Sequence, residues 1–500
     1  MFNRTAFAAA VLVAPAAALA HPPGEHGAHL HVGDLPRPAE QAAEITHRPT
    51  AMPDRVVLTF AHDPATTQAV TWRTSADVEK GFAQITRATR GPQFVDPNDR
   101  MRADGDLVSV VPAKTSTYRT ELSAANYHTA EFTDLTPSTK YVYRVGNGTN
   151  WSEWNHFTTA ADTAEPFAFI YVGDAQNEVF SLWSRVIRQA YADAPRAAFT
   201  LHAGDLINNA EADEEWGGWF DAAGFINRGT PVLATPGNHE YYTSDKSVSD
   251  HWRPTFAFPE NGPDIPGLEE TVWYLDYQGV RFISLNSNEK TKEQVPWLRE
   301  TLASNPHPWT IVTFHHPLYN SKEGRDNPDL RNAWQPLFDE FGVDLVLQGH
   351  DHTYARSKLV TAADNELEKN VEASADADVR SQPADANRGD AAADAEVVRE
   401  VKNVAAGVTG VSDAGTVYVV SVSGPKMYDL GDRPLFRRTG DGTQLYQIVH
   451  VDGNTLRYDA YTATGALFDG FTLTKNPTGP NTLTEDAADD VKVPVNAQTR

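Results

Sequence analysis

Five short apolar runs in this sequence each end in a compact group of metal-seeking residues. These are Gly173-Asp174, Gly204-Asp205, Gly237-Asn238-His239-Glu240, His315-His316 and Gly349-His350-Asp351-His352. Carboxylates, a carboxamide and imidazoles together offer the oxygen and nitrogen donors that suit a pair of borderline transition-metal ions. The chain has no cysteine, so thiolate ligands are excluded. Taken alone, a Gly-Asp after a strand is commonly a turn or a helix cap, and a lone histidine is more often a core residue than a ligand. His202, inside a strand, and His316, whose side chain should point away from that of His315, fit that plainer reading. His251 and His307 are expected at the surface or behind the ligands. The joint order Asp, Asp, Asn-His, His, His-x-His, each group after a strand, points instead to one shared site. The chemistry it implies is hydrolysis at two metal ions.

For these groups to meet, the runs before them must be strands of a parallel α/β sheet, whose carboxyl ends line one edge where ligands bind. Phe167 to Val172 leads into Asp174, Ala197 to Ala203 into Asp205, and Val232 to Ala234 into Asn238. Trp309 to Phe314 leads into His315, and Asp344 to Leu347 into His350. Val179, Trp183, Val186, Ile187 and Ala190 recur at helical spacing between the first two strands. Alternating strands and helices of this kind are what an α/β architecture produces. Val272 to Asp276 and Val280 to Asn286 read as an added hairpin covering the sheet. Thr416 to Val422 continues the pattern, Asp452-Gly453 marks a tight hairpin turn between two runs, and Phe471 to Thr474 is the last strand candidate.

At 500 residues the chain exceeds one ordinary core. Residues 1–20 read as a signal peptide: Arg4 precedes the apolar stretch Ala6 to Leu19, and Ala18-Leu19-Ala20 supplies small residues for cleavage after Ala20. That predicts a secreted or periplasmic protein without stable membrane insertion. Residues 21–50 form a His- and Pro-rich arm, read as a disordered tether. Residues 51–160 carry short period-two segments, with Trp72 and Trp154 as core aromatics, and residues 165–475 carry the strand–helix pattern. Within the latter, 362–412 is a low-complexity insert rich in Ala, Asp and Glu, and 476–500 is an acidic tail. The formal charge of -25 argues against a nucleic-acid polymer as partner, since phosphate backbones need clustered Lys and Arg. A small phosphorylated substrate is compatible with it, because bound cations dominate the local field at a metal site.

The motif order resembles the metallophosphoesterase (calcineurin-like) superfamily. The leader and the run Pro317-Leu-Tyr-Asn-Ser321 are similar to purple acid phosphatases, and Leu135 to Tyr141 resembles the tyrosine corner of a fibronectin type III domain. The resemblance implies an α/β metallophosphoesterase sandwich preceded by an all-β, fibronectin-like sandwich. It implies a metal-dependent phosphatase that hydrolyses phosphate monoesters through a metal-bound hydroxide. By the same resemblance Asp174 and His352 hold the first metal, Asn238, His315 and His350 the second, and Asp205 bridges them. His239 then contacts the phosphate from outside the coordination shell and is the candidate to protonate the leaving group. Charge and geometry agree with this allocation. A carboxylate can bridge ions about 3.5–4 Å apart, and coordination lowers the pKa of a bound water to about 7.

The sequence departs from the family at one consequential place. Purple acid phosphatases carry a tyrosine three residues after the bridging aspartate, where this chain has Asn208; related phosphatases carry a histidine two residues after the first aspartate, where it has Gln176. Either carboxamide could complete the first metal site. The expected metals are Zn, Mn or Fe(II), without a ferric tyrosinate colour. Phosphodiesters or nucleotides are an alternative substrate class for the same metals, and a non-catalytic binding protein with a degenerate site is the contrasting reading.

Overall fold

A shared apolar core organises the first part of the chain. Val56, Leu58, Val70, Trp72, Phe132, Tyr143 and Phe157 turn inward from two antiparallel four-stranded sheets and form one apolar cluster. One sheet runs Asp54–Thr59, Gln68–Ser75, Ala124–Phe132, Lys114–Arg119, and the other Ser109–Pro112, Phe82–Arg87, Lys140–Gly146, Asn155–Thr158. This computed structural model describes residues 42–91, 108–365, 414–431, 435–476 and 479–486. The segment read as a signal peptide, the arm up to residue 41, residues 366–412 of the insert and the tail beyond 486 lie outside the described residues. The expected corner is present: the Tyr141 hydroxyl accepts the backbone N–H of Thr136 at 2.9 Å. Trp154 is not a core residue. It is half-buried and lies under the Arg144 guanidinium, 4.7 Å from the ring centre, because a rim position lets an indole stack on a cation that stays wet.

The α/β part contains two seven-stranded mixed sheets rather than one parallel sheet. In the first, Val232–Ala234, Thr200–His202 and Phe167–Val172 are parallel, and Leu445–Asp452 continues antiparallel from Phe167–Val172. In the second, Val280–Ser284, Trp309–Thr313, Leu345–Gln348 and Thr416–Val420 are parallel neighbours. The hairpin read as a cover is an edge of this second sheet, where Trp273–Tyr277 pairs with Val280–Ser284. Helix Ser184–Asp193 buries Val186, Ile187 and Ala190, preceded by a wider turn over Val179–Trp183. A further strand, Thr482–Glu485, pairs with Leu467–Thr474 inside the segment read as tail. Its Thr-rich sequence carries little apolar signal because it is an edge strand with mostly wet side chains. At the other end, helix Ala43–Thr46 lies within the segment read as a disordered arm.

A buried charge cluster joins the sandwich to the α/β part. Arg55 and Arg73 of the sandwich meet the Asp213 carboxylate at 2.5 and 3.3 Å, and His251 reaches it at 3.2 Å. Asp213 also donates its backbone N–H to Glu121 of the sandwich at 2.7 Å. His251 is therefore not a surface group: it is fully buried, stacked on Trp216. Among the described residues no helix is long and apolar enough to cross a membrane.

Candidate metal centre

The two sheets deliver their carboxyl-end loops to one place. Asp174 and Asp205 leave the first sheet, His315 and the His350–His352 loop leave the second, and all converge. Asp205, His315 and His350 place one donor atom each within 4.8 Å of one another, and so do Asp174, Asp205 and His352. Asp205 belongs to both groups, as a bridging carboxylate must. Asn238 joins the first group, its Oδ1 lying 3.2 Å from His315 Nε2. All six expected ligands thus meet.

Backbone strain and glycines make the convergence possible. Asp174, Asp205, His350 and His352 all have positive φ (44°, 52°, 74° and 48°), a region that L-residues occupy at a cost and that clusters at functional sites. A side chain at Gly237 would put its Cβ 2.1 Å from Asp205 Oδ1, and one at Gly349 would stand 2.3 Å from Asp174 Oδ2. The glycines before each group therefore let carboxylate and neighbouring backbone touch.

The imidazoles are aimed by carbonyls. His315 donates Nδ1–H to Ala203 O at 2.8 Å, which turns Nε2 toward Asp205 Oδ2 at 3.1 Å. His352 donates Nδ1–H to Lys426 O at 2.9 Å and leaves Nε2 3.4 Å from Asp174. Fixing the other ring nitrogen in this way is how metal-binding histidines are oriented. His239 follows the same rule: its Nδ1 donates to the Asn208 carbonyl, and its Nε2 stands 4.0 Å from Asp205 Oδ2.

Electrostatics explain what the donors lack. Burial pushes the Asp174 carboxyl well above its ordinary value, and the neighbouring Asp205 charge adds to that. Burial acts on Asp205 in the same direction, but His315 outweighs it and holds Asp205 down to about 2. Burial would lower His315, yet Asp205 outweighs it and raises that imidazole to about 9. Burial also lowers His352 to about 4 and pushes His350 down, with His316 and His315 adding, so both favour the neutral form that metal binding requires. Two buried carboxylates side by side call for positive charge between them.

Gln176 supplies a second sign of fit. Its Nε2 donates to Asp205 Oδ2 at 2.8 Å and lies 2.8 Å from His352 Nε2, while its buried Oε1 has no hydrogen-bond partner. Asn208, the rival carboxamide, instead accepts from Asn177 Nδ2 at 3.1 Å and sits behind His239. The residues present fit two cations.

Several residues near the centre stand where the sequence did not place them. His316 does not point away: its ring is 4.3 Å from that of His350, and its Nδ1 is 2.9 Å from Ser287 Oγ. The bend after the Trp309–Thr313 strand breaks the alternation that would have turned it aside. His202 is a core residue as expected, packed between Trp183 and Trp219. His307 lies near Asp276, remote from the centre. Glu240 and Asp351 had no assigned role, although both lie inside the motifs. Glu240 accepts the backbone N–H groups of Asp205 at 2.9 Å, Leu206 at 2.8 Å and Gly237 at 2.7 Å, stapling two ligand loops together. Asp351 accepts Ser321 N–H at 2.7 Å and pairs with Arg325 at 3.1 Å. An acid standing inside a ligand motif was the available signal for both.

Comparison with known proteins agrees with this geometry. Residues 53–159 match the family described as purple acid phosphatase, N-terminal domain, and residues 167–354 match calcineurin-like phosphoesterase. An uncharacterised protein of Mycobacterium tuberculosis is 28% identical over 374 residues, covering 66% of each chain. The acid phosphatase type 7 of Danio rerio is 29% identical over 270 residues, covering 46% of this chain and 57% of the relative. The chain thus spans less than two thirds of the length of these curated relatives. Among solved structures, a purple acid phosphatase from yellow lupin seeds shares the fold with a TM-score of 0.64 at 18% identity, covering 86% of this chain and 75% of that one. The two matched families adjoin along the chain, and the second holds every candidate ligand from Asp174 to His352. Residues 167–354 thus form a domain similar to the calcineurin-like phosphoesterases, preceded over residues 53–159 by one similar to the purple acid phosphatase N-terminal domain.

Proposed function

We propose that this protein is a metal-dependent phosphatase that hydrolyses small phosphate monoesters. The observation that carries this reading is the sharing of Asp205 between two donor groups, with His239 beside it but outside both. Asp174, His352 and Gln176 would hold one ion, Asn238, His315 and His350 the other, and Asp205 both. Gln176 takes precedence over Asn208 because a half-turn of its carboxamide brings the unpartnered oxygen to the place its nitrogen now fills. Two divalent ions there would supply Lewis acidity and a water acidified towards neutrality. His239, held through Nδ1, presents Nε2 to the pocket, where it can donate a proton to a departing alkoxide.

Zinc is the favoured metal, given the imidazole-rich donor set, and Asn208 in place of a tyrosine leaves no ferric phenolate at that position. Export with cleavage after Ala20 is part of the same reading, resting on Arg4 and the apolar stretch that follows it; the amino-terminal sequence of the exported protein checks it. Turnover of an aryl monophosphate against that of a bis-aryl diester tests the substrate class. A preference for the monoester is expected, and a preference for the diester would overturn the assignment.

A further inference from the structure

Three cationic side chains gather around one aromatic ring at the edge of the metal centre. The Tyr428 ring packs 4.6 Å from the ring of His352. Over it stand the Lys322 ammonium at 3.8 Å, the Arg325 guanidinium at 5.1 Å and the Lys426 ammonium at 5.5 Å. The gathering is built by the fold. Lys322 bridges Leu430 in an antiparallel pairing, and Gly431 donates its N–H to Ser321 O at 2.7 Å. Lys426 lies on the loop whose carbonyl orients His352.

The charge balance there is unusual for a protein of net charge -25. Arg325 is matched by Asp351. Among the described residues, neither the Lys322 nor the Lys426 ammonium has a carboxylate within ion-pair distance, although acidic side chains outnumber basic ones in the sequence. Placing like charges around one ring is unfavourable unless the ring face or an added anion offsets them. The ring also adjoins His352, so an anion seated on these cations would be a near neighbour of a phosphate held at the metals.

We propose that Lys322, Arg325 and Lys426 form a specificity site for a second anionic group, so that preferred substrates are small polyanions bearing another phosphate close to the one removed. This deepens the phosphatase reading and rests on it. Lysines at such a rim act as point charges that raise affinity without taking part in bond cleavage.

The test compares methylenebisphosphonate with methylphosphonate, two phosphonates that are not phosphate esters, by calorimetric titration of the metal-loaded full-length protein. Wild type is expected to bind the bisphosphonate at least about tenfold more tightly, and the contrast to shrink below about threefold in Lys322→Gln/Lys426→Gln. Lys322→Arg/Lys426→Arg should restore it. In parallel, Lys322→Gln alone should raise KM for ADP about threefold, while KM for 4-nitrophenyl phosphate and both kcat values stay within about twofold. A contrast that survives the glutamine substitutions would locate bisphosphonate recognition at the metals alone and overturn the proposal. Wild-type protein that shows the lysine-dependent contrast yet releases no phosphate would instead overturn the phosphatase reading.

Discussion

His239 is the side chain whose surroundings most directly forecast chemistry. Its Nδ1 is committed to the Asn208 carbonyl, so only Nε2 can face a bound phosphate ester. His239→Ala should therefore keep the metals yet lose about a hundredfold or more in turnover of alkyl phosphates, and less with a 4-nitrophenolate leaving group that needs no proton. Equal loss on both substrates would show that His239 serves binding rather than proton donation. The carbonyl is itself held: Glu215 Oε2 accepts the N–H groups of Asn208 at 2.5 Å and Asn209 at 2.9 Å. Glu215→Ala should cost on the order of tenfold in the same leaving-group-dependent way, with partial recovery in Glu215→Gln, which keeps an acceptor oxygen. Steady-state rates across a series of leaving groups check both.

Loops, rather than strands, carry the strain of this site, and their glycines are the place to disturb it. Gly349→Ala would drive a Cβ into the Asp174 carboxylate, so a loss of about 1–3 kcal/mol in stability and of the first metal is expected, read by thermal melting and metal content. Retention of both would mean the loop yields freely. The candidate ligands were legible in the sequence because donor residues follow apolar runs, and a strand fixes where its carboxyl end points. The partition of those strands between two sheets was not, because hydrophobic runs report burial and say nothing of partners. His316 was misplaced for a related reason: alternation holds within a strand and fails at the bend that follows it. Glu240 escaped notice because its work is done on backbone N–H groups, those of Asp205 and Leu206 on another loop among them. The Thr482–Glu485 edge strand lacked the apolar residues that would have marked it.

The sandwich and the α/β part are fastened through charge, and this governs how the protein meets acid. Burial works against the Asp213 carboxylate, but the His251 hydrogen bond and the Arg55 and Arg73 guanidiniums outweigh it and hold its pKa well below the ordinary value. A depressed carboxyl stabilises the fold above its unfolded pKa of about 3.9, and that stabilisation is lost as the pH falls further. The melting temperature should therefore drop below about pH 4, and Asp213→Asn should flatten the drop while lowering stability at neutral pH by about 3 kcal/mol, since it strands the buried Arg55 while Arg73 keeps its pairing with Asp54. A variant as acid-sensitive as wild type would assign the loss to other carboxylates. The expectations for the metal centre rest on two cations held by the two sheets across one shared carboxylate. Metal stoichiometry measured together with phosphate release, for wild type and Asp205→Ala, addresses that most directly. Two equivalents with phosphate release in wild type, and loss of metal and turnover together in the variant, are the results expected. Asp205→Ala protein that keeps both metals and full turnover would contradict the account.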